Sequence, residues 1–338
     1  MAMVLENLKP SDILTPAAFR NAVALLMALG GSTNALLHLT AIAGRLNIQL
    51  YPDVFNEIGA MVPCITNVQP AGTKLIDDFD AAGGMPAVLQ RLKPLLDITA
   101  ITYTGQSLAN LLVNNDSMDE TRILRLLKPL TPPPTIAILT GNLAPDGAVL
   151  KVAAASSHLL NHTGKALVFN CYDDMLNNID DDALPVDATT VLVLRNTGPK
   201  AVPGMPEWGM IPIPKKLQLQ GVKDMVRISD ARMSGTSFGT VILHVSPEAA
   251  MGSTLALVHN GDLISINIAA RSITLEVSNE ELQQRKLQLK PFFTPHKRGY
   301  PALYIREVLQ ANEGCDFNFL KPKNAIELLF IEPIVGRS

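Results

Sequence analysis

The first third of the chain repeats apolar residues at the spacing of α-helices. Thr15 and Pro16 suit the N-cap and the first position of a helix, and apolar residues follow at helical spacing at Phe19, Val23, Leu26 and Met27. The Gly30-Gly31 pair ends that helix, and one of the next three polar residues can cap a second helix that runs to Ala43. A further helix is predicted over Ala87–Leu96.

The pattern changes at the proline-rich segment Leu126–Thr135, "LLKPLTPPPT". Consecutive prolines lack backbone N–H groups and cannot continue a helix, so this segment predicts an extended linker. We therefore place a domain boundary between residues 130 and 131. Beyond it, short β-branched runs predict strands in "TIAILTGNL", "KALVFN", "TTVLVLRN", "DMVRIS" and "TVILHVS".

Two further signals refine the second part of the chain. Asn260-Gly261 inside "LALVHNGDLISINI" is typical of a two-residue hairpin, and "RSITLEV" supplies the following strand. Ser278 with Glu281 three residues later forms a capping box that opens a helix. The predicted class is α/β: a mainly helical domain over residues 1–130, then a β-barrel-like or swivelling β/β/α domain over residues 131–338.

Composition excludes several classes of function. Of 338 residues, 47% are apolar and 17% charged, and the formal net charge is −3. This balance provides no excess of positive charge for binding nucleic acid or an anionic membrane. The uncharged stretch Asn21–Gly44 is long enough to cross a bilayer, but its polar centre indicates a break between two buried helices.

Cysteine usage indicates the compartment. Cys64, Cys171 and Cys315 are far apart and show no C-x-x-C spacing, which argues against a disulfide framework and favours a reducing environment. We interpret each as a small core residue. The opening residues carry charges early and lack the pattern of a signal peptide, so we expect a cytoplasmic protein.

Four glycine-containing turns are rich in groups that bind oxygen-bearing ligands. They are "GGSTN" (30–34), "TGNLAPDG" (140–147), "GPKAVPGMPEWG" (198–209) and "SDARMSGT" (229–236). None matches a Walker loop or a dinucleotide-binding fingerprint. Each alone is more often an ordinary turn, but together they favour a site for a polar small molecule.

Single residues in these turns have two interpretations each. Glu207 lies in an apolar, rigid turn, which favours a paired or cation-bound carboxylate, although such a residue is more often simply exposed. Asp230 and Arg232 can pair with each other, and Ser234 can be an ordinary turn hydroxyl. The histidines after residue 150 show no metal-ligand spacing, so zinc is not predicted. The residue types alone define a polar, loop-built pocket and no reaction.

Five long motifs carry a resemblance to a known family. They are "GGSTNALLHLTAIAGRL", "GNLAPDGAVLK", "GPKAVPGMPEWG", "SDARMSGTSFGTVILHVSPEAA" and "LALVHNGDLISINI". In order and spacing they resemble the dihydroxy-acid dehydratase / phosphogluconate dehydratase family, from about Leu8 to Leu320. The segments "PEWGMIPIPKKL" and "RGYPALYIREVLQANEGCDFNFL" are most similar to the sugar-acid (aldonate) branch, such as arabinonate and xylonate dehydratases.

The resemblance implies a hydro-lyase that removes water from a 2,3-dihydroxy sugar acid and yields a 2-keto-3-deoxy acid. It implies an iron–sulfur cluster that accepts the departing 3-hydroxyl, and a magnesium ion that holds the carboxylate and the 2-hydroxyl. It also implies an N-terminal α/β domain that binds the cluster and a β-barrel-like domain that carries the catalytic serine.

Residue roles follow from the same resemblance. Ser234 matches the base that removes the C2 proton, and Glu207 matches a magnesium-ligand glutamate. Gly235 gives the turn its freedom, and Thr236 can hydrogen-bond the substrate. The positions that orient this loop are Asp230 and Arg232.

The chain also departs from the family pattern. The family's three cluster cysteines, two further magnesium carboxylates and modified lysine fall before "LENLKPSDIL", and Cys64, Cys171 and Cys315 lie outside those motifs. Ala201-Val202 and Gly252-Ser253 replace Gly-Gly pairs. We therefore expect an N-terminally truncated form that is inactive on its own.

Three interpretations stay open on this basis. The chain is one subunit of a split enzyme with a separate N-terminal half, a remnant of a longer gene, or a non-catalytic module that binds sugar acids. In each case the expected ligand is a small sugar acid. Self-association into a homo-oligomer through the first domain is expected as well.

Overall fold

The computed structural model describes residues 2–113, 130–233 and 238–322. Within them, the α-helices are α1 Ala2–Leu5, α2 Pro10–Ile13, α3 Pro16–Leu29, α4 Asn34–Gly44, α5 Asp53–Gly59, α6 Ile76–Ala81, α7 Gly84–Leu92, α8 Leu108–Leu112, α9 Tyr172–Asn178, α10 Lys215–Leu219, α11 Asn279–Gln288 and α12 Gly299–Glu307. The strands are β1 Ala137–Leu139, β2 Gly147–Leu150, β3 Asn161–Phe169, β4 Val191–Leu194, β5 Glu207–Trp208, β6 Arg227–Ser229, β7 Arg232–Met233, β8 Val241–Ser246, β9 Leu263–Asn267 and β10 Ser272–Leu275. Short 3₁₀ turns occupy Lys93–Leu95, Val152–Ala154, Ser157–Leu159, Ala249–Met251, Thr254–Leu257, Ala311–Glu313 and Asn318–Leu320.

The predicted helices of the first part are confirmed, with one change of bounds. The Thr15 hydroxyl caps α3 by accepting a hydrogen bond from the Ala18 N–H at 3.3 Å. Gly30 ends α3 in the left-handed region, with φ of 57°. The helix predicted over Ala87–Leu96 instead begins at Gly84 and passes into a 3₁₀ turn at Lys93, because Pro94 cannot continue the α-helical ladder.

The second part forms an eight-stranded sheet in the order β1-β2-β8-β6-β4-β3-β9-β10. The central pairs β8-β6, β6-β4 and β4-β3 are parallel, and the outer pairs are antiparallel. The sheet curls until its two ends meet, since the Thr140 N–H donates to the Arg271 carbonyl at 2.9 Å and the Ile273 N–H donates to Thr140 at 3.0 Å. The result is a nearly closed barrel, which confirms the predicted β-barrel-like domain.

Both faces of the central strands are buried. Along β4, Val191 and Val193 pack in one apolar cluster, while Leu192 and Leu194 pack in the cluster on the opposite face. A third cluster fills the helical part around Phe19, Met27 and Phe55, and it includes Ile136, Ile138 and Val149 from the start of the sheet. The helices therefore pack directly on the β1–β2 side of the barrel.

The two-residue hairpin predicted at Asn260-Gly261 is wrong. The residues before it form the 3₁₀ turn Thr254–Leu257 and no strand. The Arg195 guanidinium binds the carbonyls of Ala256 and Val258 at 2.7 and 3.0 Å, which removes these acceptors from any strand ladder. The strand after the turn is present, and β9 pairs with β10 as predicted.

Two other expectations concern the path of the chain. The boundary between residues 130 and 131 remains a prediction, and residues 126–129 of the proline-rich segment lie outside the described part. The uncharged stretch Asn21–Gly44 falls on α3 and α4, which Gly30 separates. Among the helices of the described ranges, none has both the length and the apolarity to cross a membrane.

Candidate active site

Glu207 lies at the end of the glycine-rich segment 198–209, in the short strand β5. β5 pairs in parallel with β7, so Glu207 is opposite Arg232 and Trp208 is opposite Met233. The Glu207 side chain is exposed, in agreement with the simpler of its two interpretations. This pairing places the carboxylate beside the strand that leads into residue 234.

The first residue of α4 contacts this carboxylate. Asn34 Nδ2 donates to Glu207 Oε1 at 2.6 Å and reaches the Met233 carbonyl at 3.4 Å. A hydrogen bond from an amide to a carboxylate is charge-assisted and stronger than one between neutral groups. Asn34 Oδ1 is buried and has no hydrogen-bond partner among the described residues. The "GGSTN" turn therefore meets the turns that carry Glu207 and Met233.

Asp230 is fully buried before β7. Its carboxylate accepts hydrogen bonds from the backbone N–H groups of Asn196, Thr197 and Ala249 at 3.0 to 3.1 Å, and from the Thr197 hydroxyl at 2.9 Å. Burial raises the pKa of Asp230 above its usual range. No ion pair of the described part joins Asp230 to Arg232, so the carboxylate serves to connect three loops.

The predicted catalytic turn lies between two anchored ends. Ser234, Gly235 and Thr236 are outside the described residues. Upstream, Asp230 holds the chain that enters β7; downstream, Asp224 accepts from the Thr240 N–H at 2.9 and 3.0 Å and from its hydroxyl at 2.8 Å. Buried carboxylates thus fix the chain on both sides of this turn.

Glu248 fixes the start of the segment that carries Glu207. Its carboxylate accepts from the N–H groups of Lys200 and Ala201 at 2.9 to 3.0 Å, and from Gln310 Nε2 at 2.7 Å. Burial, with Asp230 nearby, raises the pKa of Glu248 from 4.5 to about 7. A Cβ at position 198 would stand 2.6 Å from Glu248 Oε2, so Gly198 allows this close approach.

The fourth glycine-containing turn makes its contacts elsewhere. Thr140 closes the barrel against Arg271, and the Asp146 N–H donates to the Ser246 carbonyl at 3.0 Å. Three of the four predicted turns therefore meet around Glu207, and "TGNLAPDG" has a role in the barrel itself.

Three polar residues of this region were not predicted as site residues from the sequence: Asn34, Asp224 and Glu248. A signal was available for each of them. Asn34 ends the "GGSTN" turn, Asp224 precedes Arg227 by three residues with the apolar pair Met225-Val226 between them, and Glu248 follows Pro247 after the mainly apolar strand "VILHVS". A charged residue in such apolar surroundings needs a partner, which marks it as structural or functional.

Of the predicted site residues, Glu207 offers its carboxylate near the predicted catalytic turn as a ligand for a magnesium ion. In the described ranges, no group of three or more His, Cys, Asp or Glu side chains is close enough to hold a metal. The three cysteines lie in separate environments: Cys64 is buried next to Lys151, Cys171 caps α9, and Cys315 contacts Met205 at 3.3 Å. Glu207 therefore fits a single ligand position, and the cysteines do not fit an iron–sulfur cluster.

Comparison with known proteins defines the class of this chain. Residues 1–111 match the family model for the dihydroxy-acid/6-phosphogluconate dehydratase N-terminal region, and residues 122–315 match the model for the C-terminal region. The chain belongs to the dihydroxy-acid/6-phosphogluconate dehydratase family.

Several curated relatives are similar over nearly the whole chain. A 6-deoxy-6-sulfo-D-gluconate dehydratase of Pseudomonas putida is 46% identical over 96% of this chain, and an L-arabonate dehydratase of Azospirillum brasilense is 48% identical over 94%. A dihydroxy-acid dehydratase of Acetivibrio thermocellus is 40% identical over 93%. Each alignment covers 56% of the relative, so this chain spans about half of their length.

Proposed function

We propose that this chain supplies the catalytic serine of a hydro-lyase that converts a 2,3-dihydroxy sugar acid to a 2-keto-3-deoxy acid. The observation that carries the proposal is the pairing of Glu207 with Arg232, because it brings a carboxylate beside the strand that leads into Ser234. Membership of the dehydratase family supports the reaction class, and two relatives named for sugar acids support the substrate class.

Ser234 is the proposed base. Elimination takes the proton from C2 and the hydroxyl from C3, which leave as water, and the enol that remains tautomerises to the 2-keto acid. A serine hydroxyl is too weakly acidic to act as a base at neutral pH without a cation nearby. Thr236 is the proposed hydrogen-bonding partner of the substrate, and Gly235 is proposed to give the turn its freedom.

Glu207 is the proposed magnesium ligand in this chain. Its exposed carboxylate provides a hard oxygen ligand, and the Asn34 amide fixes the orientation of one of its oxygens. A bound magnesium ion supplies positive charge that favours the serine alkoxide and the enolate. The family also implies an iron–sulfur cluster; since the described cysteines do not fit one, no step of this chain is assigned to it.

Asp230 and Arg232 are proposed as positioning residues. The four hydrogen bonds of Asp230 tie the entrance of the turn to the loops at Asn196–Thr197 and Ala249. Arg232 holds the register with Glu207 through the strand pairing. Substrate orientation therefore depends on groups that a buried carboxylate fixes in place.

The test is a dehydration assay on a panel of aldonates that follows 2-keto-3-deoxy acid formation. It is run anaerobically with magnesium and reconstituted iron–sulfur, using this chain alone and mixed with a polypeptide that carries the remaining length of the L-arabonate dehydratase relative. We expect turnover in the mixture, lost in Ser234→Ala and kept in the neighbouring control Ser237→Ala.

Other outcomes give other functions. Turnover that survives Ser234→Ala contradicts the assignment of the base. A folded chain that binds aldonates without magnesium and never turns them over is a sugar-acid-binding module instead.

A further inference from the structure

A cavity of about 560 Å³ opens beside Arg232, between α4 and the C-terminal part of the chain. His38 and Arg45 line it from α4, and Tyr304 and Cys315 line it from the opposite wall. His38 follows Asn34 by four residues, so both lie on one face of α4, and a spacing of about 6 Å is expected between their Cβ atoms. The cavity therefore begins one helical turn from the Asn34–Glu207 contact.

One cation on the walls of this cavity is not neutralised by another described lining residue. Arg45 and Asp316 form a bidentate pair, with both nitrogen–oxygen distances at 2.7 Å. Burial raises the pKa values of Tyr304 and Cys315 above their usual ranges, so both side chains are uncharged at neutral pH. Arg232 is the remaining charged group among the described lining residues.

Two side chains at this wall have buried polar atoms without a hydrogen-bond partner in the described part of the chain. Arg232 Nε is buried without a hydrogen bond to the described residues, and so are both ring nitrogens of His244, which is 1% exposed. Burial, together with the electrostatic influence of Arg232 and His38, lowers the pKa of His244 from 6.5 to about 3. A neutral His244 offers one donor and one acceptor. Unsatisfied buried donors are costly, which favours a ligand rich in oxygen.

We propose that this cavity binds the end of the sugar-acid chain remote from its carboxyl group, with Arg232 and His38 as hydrogen-bond donors to its terminal oxygens. This inference rests on the proposed function. Arg232 lines the cavity and lies opposite the proposed magnesium ligand Glu207, so we expect the far end of a ligand bound at Glu207 to reach it. The subsite distinguishes long sugar acids from short ones.

The experiment measures binding without turnover, by calorimetry on the purified chain with magnesium. The probes are D-glycerate, which is a 2,3-dihydroxy acid without a remote end, and D-gluconate, which extends it by three hydroxylated carbons. We expect D-gluconate to bind at least tenfold more tightly. Arg232→Gln should weaken gluconate binding about tenfold and so remove most of that difference.

Two further variants keep the test decisive if Arg232→Gln does not fold correctly. His38→Ala removes an exposed side chain and should weaken gluconate binding alone. Ile42→Trp, at a lining position that is 44% exposed, should narrow the cavity and act in the same selective way. Arg20→Gln is the matched control, because Arg20 pairs with Glu57 on the surface and lines no part of this cavity.

The outcomes separate this inference from the proposed function. Equal affinities for the two acids, binding of neither, or a gluconate preference that survives both Arg232→Gln and His38→Ala overturn the subsite, even if the assay shows turnover. A selective loss of gluconate binding supports it, even if no turnover is found.

Discussion

Arg227 and Asp224 form an ion pair at 2.8 Å in which the two side chains are only 1% and 2% exposed. Arg227 also donates to the carbonyls of Ile211 and Phe238, at 3.2 and 3.1 Å. Asp224 receives the N–H and the hydroxyl of Thr240. This pair therefore joins β6 to the chain that leaves the predicted catalytic turn.

Removal of one partner should be strongly destabilising. Arg227→Met leaves the Asp224 carboxylate buried without its cation, and we expect the free energy of unfolding to fall by about 3–5 kcal/mol. Urea denaturation measures this change. Arg306→Met removes an arginine that is 69% exposed from its pair with Glu307, which is 19% exposed, and should change stability by less than about 1 kcal/mol. Similar losses in both variants would contradict the argument from burial.

The buried carboxylate of Glu248 should make stability depend on pH. Its folded pKa of about 7 is above the ordinary 4.5, so ionisation is disfavoured in the folded state. Its stabilising contribution is present below pH 4.5 and is lost as the pH rises through 7. Relative to Glu248→Gln, the wild-type chain should lose about 3 kcal/mol at most over this window. Parallel stability curves for the two proteins from pH 4.5 to 8 would refute this.

Lys151 should show a pH dependence of the opposite sense. It is 8% exposed, and burial lowers its pKa from 10.5 to about 8. The charged form is disfavoured in the folded state, so stability is highest above pH 10.5 and falls as the pH drops through 8. Lys151→Met should be more stable than wild type at pH 7, by about 3 kcal/mol at most, with a gap that closes at high pH. Lys165→Met, at an exposed lysine, should show no such gap.

Loss of the Asn34 amide should affect activity more than stability. Asn34→Ala frees one oxygen of Glu207, and we expect kcat/KM in the complemented assay to fall about tenfold, as for loss of a charge-assisted hydrogen bond. The thermal midpoint should move little. Asn21→Ala, which removes an exposed amide that binds the Asp97 carbonyl, is the control. Equal kcat/KM in wild type and Asn34→Ala would show that this contact does not position Glu207.

Local signals explain which parts of the fold could be predicted. The Thr15 cap and the left-handed Gly30 act on their own neighbours, so the bounds of α3 follow from the sequence. The hairpin at Asn260-Gly261 failed because Arg195, about 60 residues away, binds the carbonyls before the turn. A contact from an arginine so distant in sequence produces no local pattern in the segment. The strand propensity of the segment therefore did not indicate this contact.

The candidate site shows the same limit. The sequence motifs identified Glu207 and Asp230 as residues of interest, but they did not predict which groups each side chain contacts. Asn34 and Glu207 are 173 positions apart, and their contact depends on how α4 packs against the barrel. In place of a possible pairing with Arg232, Asp230 accepts from backbone N–H donors of two loops, because a fully buried carboxylate requires several donors.

The hydrogen bonds of Thr140 to Arg271 and Ile273 also affect how copies of this chain meet in solution. β1 and β10 end the strand order, and in an open sheet each would present backbone groups to which another molecule can add a strand. Here those two ends face each other across the closure. Fibril growth by addition of a strand to β1 or β10 is therefore expected only after the barrel opens.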